Sequence, residues 1–193
     1  MNRAVILHGK PTQERYENPD IPKPHKANWF PWIKAELFKV GIEASVPALP
    51  EPYHPNYESW KKVFEGEKVD SDTGLVAHSA SVEFLLRWLA ANKTVTLERA
   101  VLVAPYRDYA GKYGDFSNYK LDKDIPKRIG NLTIINSLDD DEPIQRRTQE
   151  LIEAFPTAKL VEVDGYGHFR IGHNMTGPEF PELLDELTTE TDS

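Results

Sequence analysis

Residues 73–89 read TGLVAHSASVEFLLRWL. An apolar run of strand character ends in a knot of small and polar residues, and an apolar helical pattern starts at once. A strand that turns directly into a helix is the basic unit of an α/β fold. It also carries Ser79 to the corner. A serine at a tight strand-to-helix turn projects its hydroxyl above the sheet, and the positions two before and two after it must be small because the two backbones pass closely there. Here the pattern is Ala77-His78-Ser79-Ala80-Ser81. It meets the steric requirement of G-x-S-x-G with other small residues in place of both glycines. Taken alone the pattern is short, and Ser79 or Ser81 could simply cap the helix.

The same alternation extends in both directions. Apolar runs at 4–9, 42–49, 73–79, 99–105, 131–137 and 158–165 read as strands. Residues 29–41, 56–65, 81–93, 144–155 and 180–189 read as helices, and Gly41 supplies a stop signal for the first. Six strands separated by helices or long crossovers predict one α/β domain over residues 1–193. The expected form is a three-layer sandwich with a parallel sheet covered on both faces. Residues 10–28 read as a long loop rich in proline and polar residues. Residues 106–128 read as an aromatic-rich excursion, and residues 190–193 are expected to fray.

In open parallel sheets ligands sit beyond the carboxyl ends of the strands. The residues at those ends are His8-Gly9-Lys10, Ser79-Ala80, Pro105-Tyr106, Asp139-Asp140-Asp141 and Gly167-His168. A nucleophilic serine needs a base, and the base needs an orienting carboxylate. In α/β hydrolases these follow in the order serine, acid, histidine. Ser79, Asp140 and His168 fall in that order, each just after a strand. One of Asp139, Asp140 and Asp141 can face the imidazole. Asp140 is preferred, with the other two left to hydrate the loop or cap the next helix. His173 lies in a more polar context and is set aside. The backbone N–H of Ala80 and one from Gly9 or Lys10 are the expected oxyanion donors. His8 reads as structural. Pocket candidates are His78, Trp29, Phe30, Tyr106 and Phe116, chosen by their position next to strand ends. Trp32, Trp60 and Trp88 read as packing residues.

These residues also carry a resemblance. The segments ILHG, NWFPWIKAEL, GIEASVPALP, ESW, LVAHS, RAVLVAP, INSLDDD and DGYGHF resemble the small serine hydrolases of the YdeN and retinoblastoma-binding-protein-9 type, within the α/β-hydrolase superfamily. The likeness covers nearly the whole chain. It implies no large lid domain, and it implies Ser79 as nucleophile, Asp140 as the acid of S-x-D-D and His168 as the histidine of G-H-F. The family elbow usually reads G-H-S-x-G, from which Ala77 and Ser81 depart.

Composition narrows the alternatives. The formal net charge of −8 disfavours nucleic acid and anionic membranes as partners, since both demand a basic patch. The chain has no cysteine, which excludes disulfides, thiolate catalysis and cysteine-ligated metals. No run reaches the ~18 apolar residues of a membrane span. The opening MNRAVILHG reads as a strand rather than a leader. The first turn, HGKPTQER, lacks both G-x-G-x-x-G and the P-loop pattern, so no nucleotide phosphate cradle is predicted. The expectation is therefore a cytoplasmic serine hydrolase, monomeric or a small homo-oligomer. Its partner is a small ester, thioester or amide, and it needs no cofactor or metal. The competing expectation is a non-catalytic binding module on the same scaffold.

Overall fold

The structure, a computed structural model, describes residues 1–189, so the expected fraying of 190–193 lies outside the described residues. The chain runs β1 (Arg3–Leu7), α1 (Gln13–Glu17), α2 (Phe30–Lys39), β2 (Glu43–Ser45), α3 (Tyr57–Phe64), β3 (Thr73–His78) and α4 (Ala80–Ala91). It continues through β4 (Leu97–Val103), β5 (Ile129–Ser137), α5 (Glu142–Ala154), β6 (Lys159–Val163) and α6 (Pro181–Thr188). The six strands form one sheet in the order β2-β1-β3-β4-β5-β6, and every neighbouring pair is parallel. The order reverses between β1 and β3. Such a reversal sends the two following connections to opposite faces and leaves a crevice at the carboxyl edge between them.

Burial explains why the central strands are apolar throughout. All six residues of β3 are buried. Side chains alternate between faces with a period of two. Val5, Leu7, Leu75, Ala77, Ala100 and Leu102 join one core layer with Trp60 and Phe64 of α3 and Phe84, Leu85 and Trp88 of α4. Ala4, Ile6, Val76, Val101 and Val103 join the other, under Ile33 and Leu37 of α2 and Leu183 and Leu187 of α6. The strand β2 is shorter than its sequence pattern suggests. It lies at the sheet edge, and Pro47 and Pro50 lack the N–H that would extend the ladder.

The two long connections carry more order than a loop reading gives them. Residues 10–28 contain α1, whose Thr12 hydroxyl accepts a hydrogen bond from the Arg15 N–H, and a 3-10 turn at Pro24–Lys26. Residues 106–128 end in a 3-10 turn at Ile125–Arg128. That excursion is anchored on α4 by a buried carboxylate. Glu83 accepts from Arg107 Nη1 at 3.1 Å and from Arg147 Nε of α5 at 2.7 Å. Burial alone would push the Glu83 carboxyl upward, and the two guanidiniums oppose it.

Candidate active site

The corner after β3 is strained. Ser79 has φ +59° and ψ −123°, a conformation that costs a non-glycine residue on the order of 1–3 kcal/mol. The surroundings hold it there. The Ser79 N–H donates to the Val103 carbonyl at 2.9 Å, and the Ser79 carbonyl accepts from Val82 N–H at 3.0 Å and Tyr106 N–H at 3.3 Å. Gly9, after β1, is what lets the two turns meet. A Cβ at Gly9 would stand 2.8 Å from Ser79 Cβ and 3.1 Å from His78 Nδ1. Ser81 also has a use that glycine lacks: its hydroxyl donates a short hydrogen bond to the His8 carbonyl and staples α4 to the end of β1.

Three side chains from three strand ends converge at this corner. Ser79 Oγ lies 2.8 Å from His168 Nε2. His168 Nδ1 lies 2.9 Å from Asp140 Oδ2 and 3.2 Å from Oδ1. The carboxylate accepts the Nδ1 proton, which leaves Nε2 free to accept from the serine hydroxyl. The loops around the line are themselves bonded. Asp139 Oδ1 accepts from Gly167 N–H at 2.9 Å, and its carboxylate also takes the Ser137 hydroxyl and the Asn174 amide. These bonds, led by the one from Ser137, lower the Asp139 pKa to about 2. Asp139 thus ties the β5 loop to the β6 loop rather than hydrating it, and Asp141 sits at the N-cap of α5 without a side-chain cap bond.

Two further histidines are structural. His78 is buried and donates from Nε2 to the His168 carbonyl at 3.1 Å. Burial, with the neighbouring His168 as a second cause, pushes its pKa well below the usual value and keeps it neutral. His8 donates from Nδ1 to the Gly9 carbonyl at 3.0 Å and accepts at Nε2 from Leu49 N–H at 3.2 Å. Burial lowers its pKa to about 4.

An open cleft lies beside Ser79 and His168, walled by His78, Phe30, Gly9, Lys10 and the 10–28 segment. A second depression that also reaches Ser79 and His168 is lined by Lys10, Tyr106, Asp141 and Arg170. Two expected pocket residues lie elsewhere. Trp29 is fully buried in the α2–α6 layer, with its ring 5.4 Å from Phe180 and 5.9 Å from His78, so it is a core residue. Phe116 packs edge-on to Trp60 at 5.2 Å on the α3 side of the sheet, because the excursion folds down onto α4 instead of standing over Ser79. Sequence reasoning passed over Asn28 and Arg170 and left Asp139 to hydrate the loop or cap the next helix. Asn28 Oδ1 accepts from Ile171 N–H at 3.3 Å and closes the cleft wall onto the segment after His168. The only hint of Asp139 was its place in the aspartate trio. Among the described residues no three His, Asp or Glu side chains cluster as a metal site would need.

The comparisons with known proteins bear on this site. The profile of the serine hydrolase family matches residues 23–187, which is most of the chain. The chain belongs to the serine hydrolase family. YdeN of Bacillus subtilis (strain 168) is 27% identical over 173 residues, covering 84% of this chain and 87% of YdeN. The crystal structure of the B. subtilis ydeN gene product superimposes with a TM-score of 0.78 over 97% of both chains, at 24% identity. Est1E of Butyrivibrio proteoclasticus, solved with ferulic acid bound, has the same fold at a TM-score of 0.67 and 12% identity, over 99% of this chain and 89% of Est1E. The protein is a small α/β hydrolase of the YdeN type.

Proposed function

We propose that this hydrolase cleaves a small ester, thioester or amide through an acyl-enzyme formed on Ser79. The observation that carries the reading is the unbroken hydrogen-bonded line from Ser79 Oγ through the His168 ring to Asp140. Ser79 Oγ attacks the carbonyl carbon while His168 Nε2 takes its proton. The tetrahedral intermediate collapses, the leaving group departs with that proton, and the acyl group stays on Ser79. Water, deprotonated by the same nitrogen, then releases the acid and restores the serine. Asp140 holds the imidazole in the tautomer that accepts from serine and stabilises its charged form.

The oxyanion would be met by the Ala80 N–H, at the positive end of α4, and by the Gly9–Lys10 backbone. His8 supports the second donor. It fixes the Gly9 carbonyl, and a planar trans peptide turns the Lys10 N–H to the opposite side. Ser81 fixes the preceding carbonyl, so two successive peptides of this turn are pinned.

The test is labelling with an uncharged fluorophosphonate and turnover of 4-nitrophenyl esters of rising chain length. The wild-type protein should be labelled at Ser79 and should turn over short esters. Ser79→Ala should lose the label and about 10⁶-fold in kcat while remaining folded. A folded wild-type protein that takes no label would make the protein a binding module on a hydrolase scaffold.

A further inference from the structure

The cleft beside Ser79 has an unexpected charge. The chain carries a formal net charge of −8, yet the cleft is lined by Lys10, Arg15 and Arg170 and by no acidic residue. Among the described residues none of the three has a carboxylate within 4.0 Å. Arg170 Nε is buried and finds no hydrogen-bond acceptor there. Arg170 lines the cleft and has no carboxylate partner, so its guanidinium is available to an acceptor that arrives with the substrate. Glu17 of α1 accepts from Gln13, and Asp141 lines the neighbouring depression, which Lys10 and Arg170 also reach, but it lies beyond 4.0 Å of both. Lys10 Nζ sits over the Tyr113 ring at 5.2 Å, so the two arginines are the pair left to bind an anion.

The rest of the lining sets the shape of the ligand. Pro11, Pro22 and Phe30 line the same cleft as Ser79 and the arginines. A ligand seated at Ser79 therefore meets apolar surface as well as the guanidiniums. We infer that the preferred substrate is a carboxylate-bearing ester, thioester or amide, in which a short apolar spacer joins the scissile carbonyl to an ionised carboxylate held by Arg170 and Arg15. Arginine suits this because its fork matches a carboxylate bidentately. This inference rests on the acyl-transfer reading of the same site and adds its substrate class.

The experiment compares the mono-4-nitrophenyl ester of adipic acid with its methyl ester, which is neutral and nearly the same length. The ratio of their kcat/KM values is the readout, so a general loss of activity cancels. In the wild-type protein the ratio should exceed about 10 in favour of the carboxylate, the worth of one charge-assisted hydrogen bond in a half-buried site. It should fall several-fold in Arg170→Gln and in Arg15→Gln. The second variant lies on the exposed α1 and guards against a disturbance of the His168 segment. Raising the salt concentration should also shrink the ratio. A wild-type ratio of one or less, or a ratio unmoved in both variants, overturns the inference. So does a preference of 10-fold or more for the matching phosphonate ester over the carboxylate. The uncharged fluorophosphonate separates the two levels. Labelling of Ser79 without a charge preference sinks only the substrate class, whereas absence of labelling sinks the acyl-transfer reading itself.

Discussion

Asp139 and Asp140 are adjacent in sequence, and the structure divides their work. Asp140 faces the His168 ring, and Asp139 faces away and binds Gly167, Ser137 and Asn174. Asp140→Asn would keep the shape but present an amide to Nδ1, so the imidazole would settle in the wrong tautomer. The expected loss in kcat is about 10⁴-fold with stability little changed, as read by ester turnover and thermal melting. Retention of more than a tenth of the wild-type rate would remove Asp140 from the mechanism. This division was only half legible. The chain order and strand-end placement single out Ser79, one of three aspartates and His168 without any structure. The opposite directions of two neighbouring carboxylates depend on the path of the 137–141 turn and on a loop 28 residues away. Arg170 was hidden for the same reason, because its lack of a partner is a property of the fold and not of its neighbours in sequence.

At the scale of elements, the site depends on how closely two turns pack. The turn after β1 and the corner before α4 touch through Gly9 and Ser79. Gly9→Ala would force the turns apart. A displacement near 1 Å at a nucleophile can cost about 10²-fold, so kcat/KM for short esters should fall by at least about 10-fold, with a loss of roughly 1–3 kcal/mol in stability. Ester kinetics and denaturant unfolding would measure both, and an unchanged kcat/KM would show that the approach of the turns is unimportant. Periodicity made the helices and strands readable because each buries one face. It failed where tertiary contacts decide. The short α1 lies in a segment whose prolines and polar residues suggest only loop. Position next to a strand end makes Phe116 a pocket candidate, yet Phe116 is drawn down into the core beside Trp60.

The whole molecule responds to pH through groups it buries uncharged. His8 falls from 6.5 to about 4 on folding, and His78 shifts in the same direction, both chiefly because burial disfavours the charged ring. Above pH 6.5 these rings are neutral in both folded and unfolded chains and cost nothing. As pH falls from 6.5 toward 4 the unfolded chain gains protons that the folded one refuses, so stability declines. For His8 alone the decline is about 3 kcal/mol across that window. Urea unfolding at pH 7.5 and pH 4.5 should show the drop, and His8→Gln should reduce it. An equal drop in that variant would mean that other groups carry the pH dependence.

The crevice at the sheet reversal joins parts of the chain made far apart. β1 and β3 are neighbours separated by 65 residues, and the bond between Ser79 and His168 spans 89. Bringing such distant segments together is slow, because loop closure must precede any reward from contact. A partly folded form that lacks β6 has a strained corner but no base to serve it. Recovery of turnover after dilution from denaturant should therefore trail the recovery of helical signal, with the hydroxyl remaining inert until the last strand docks.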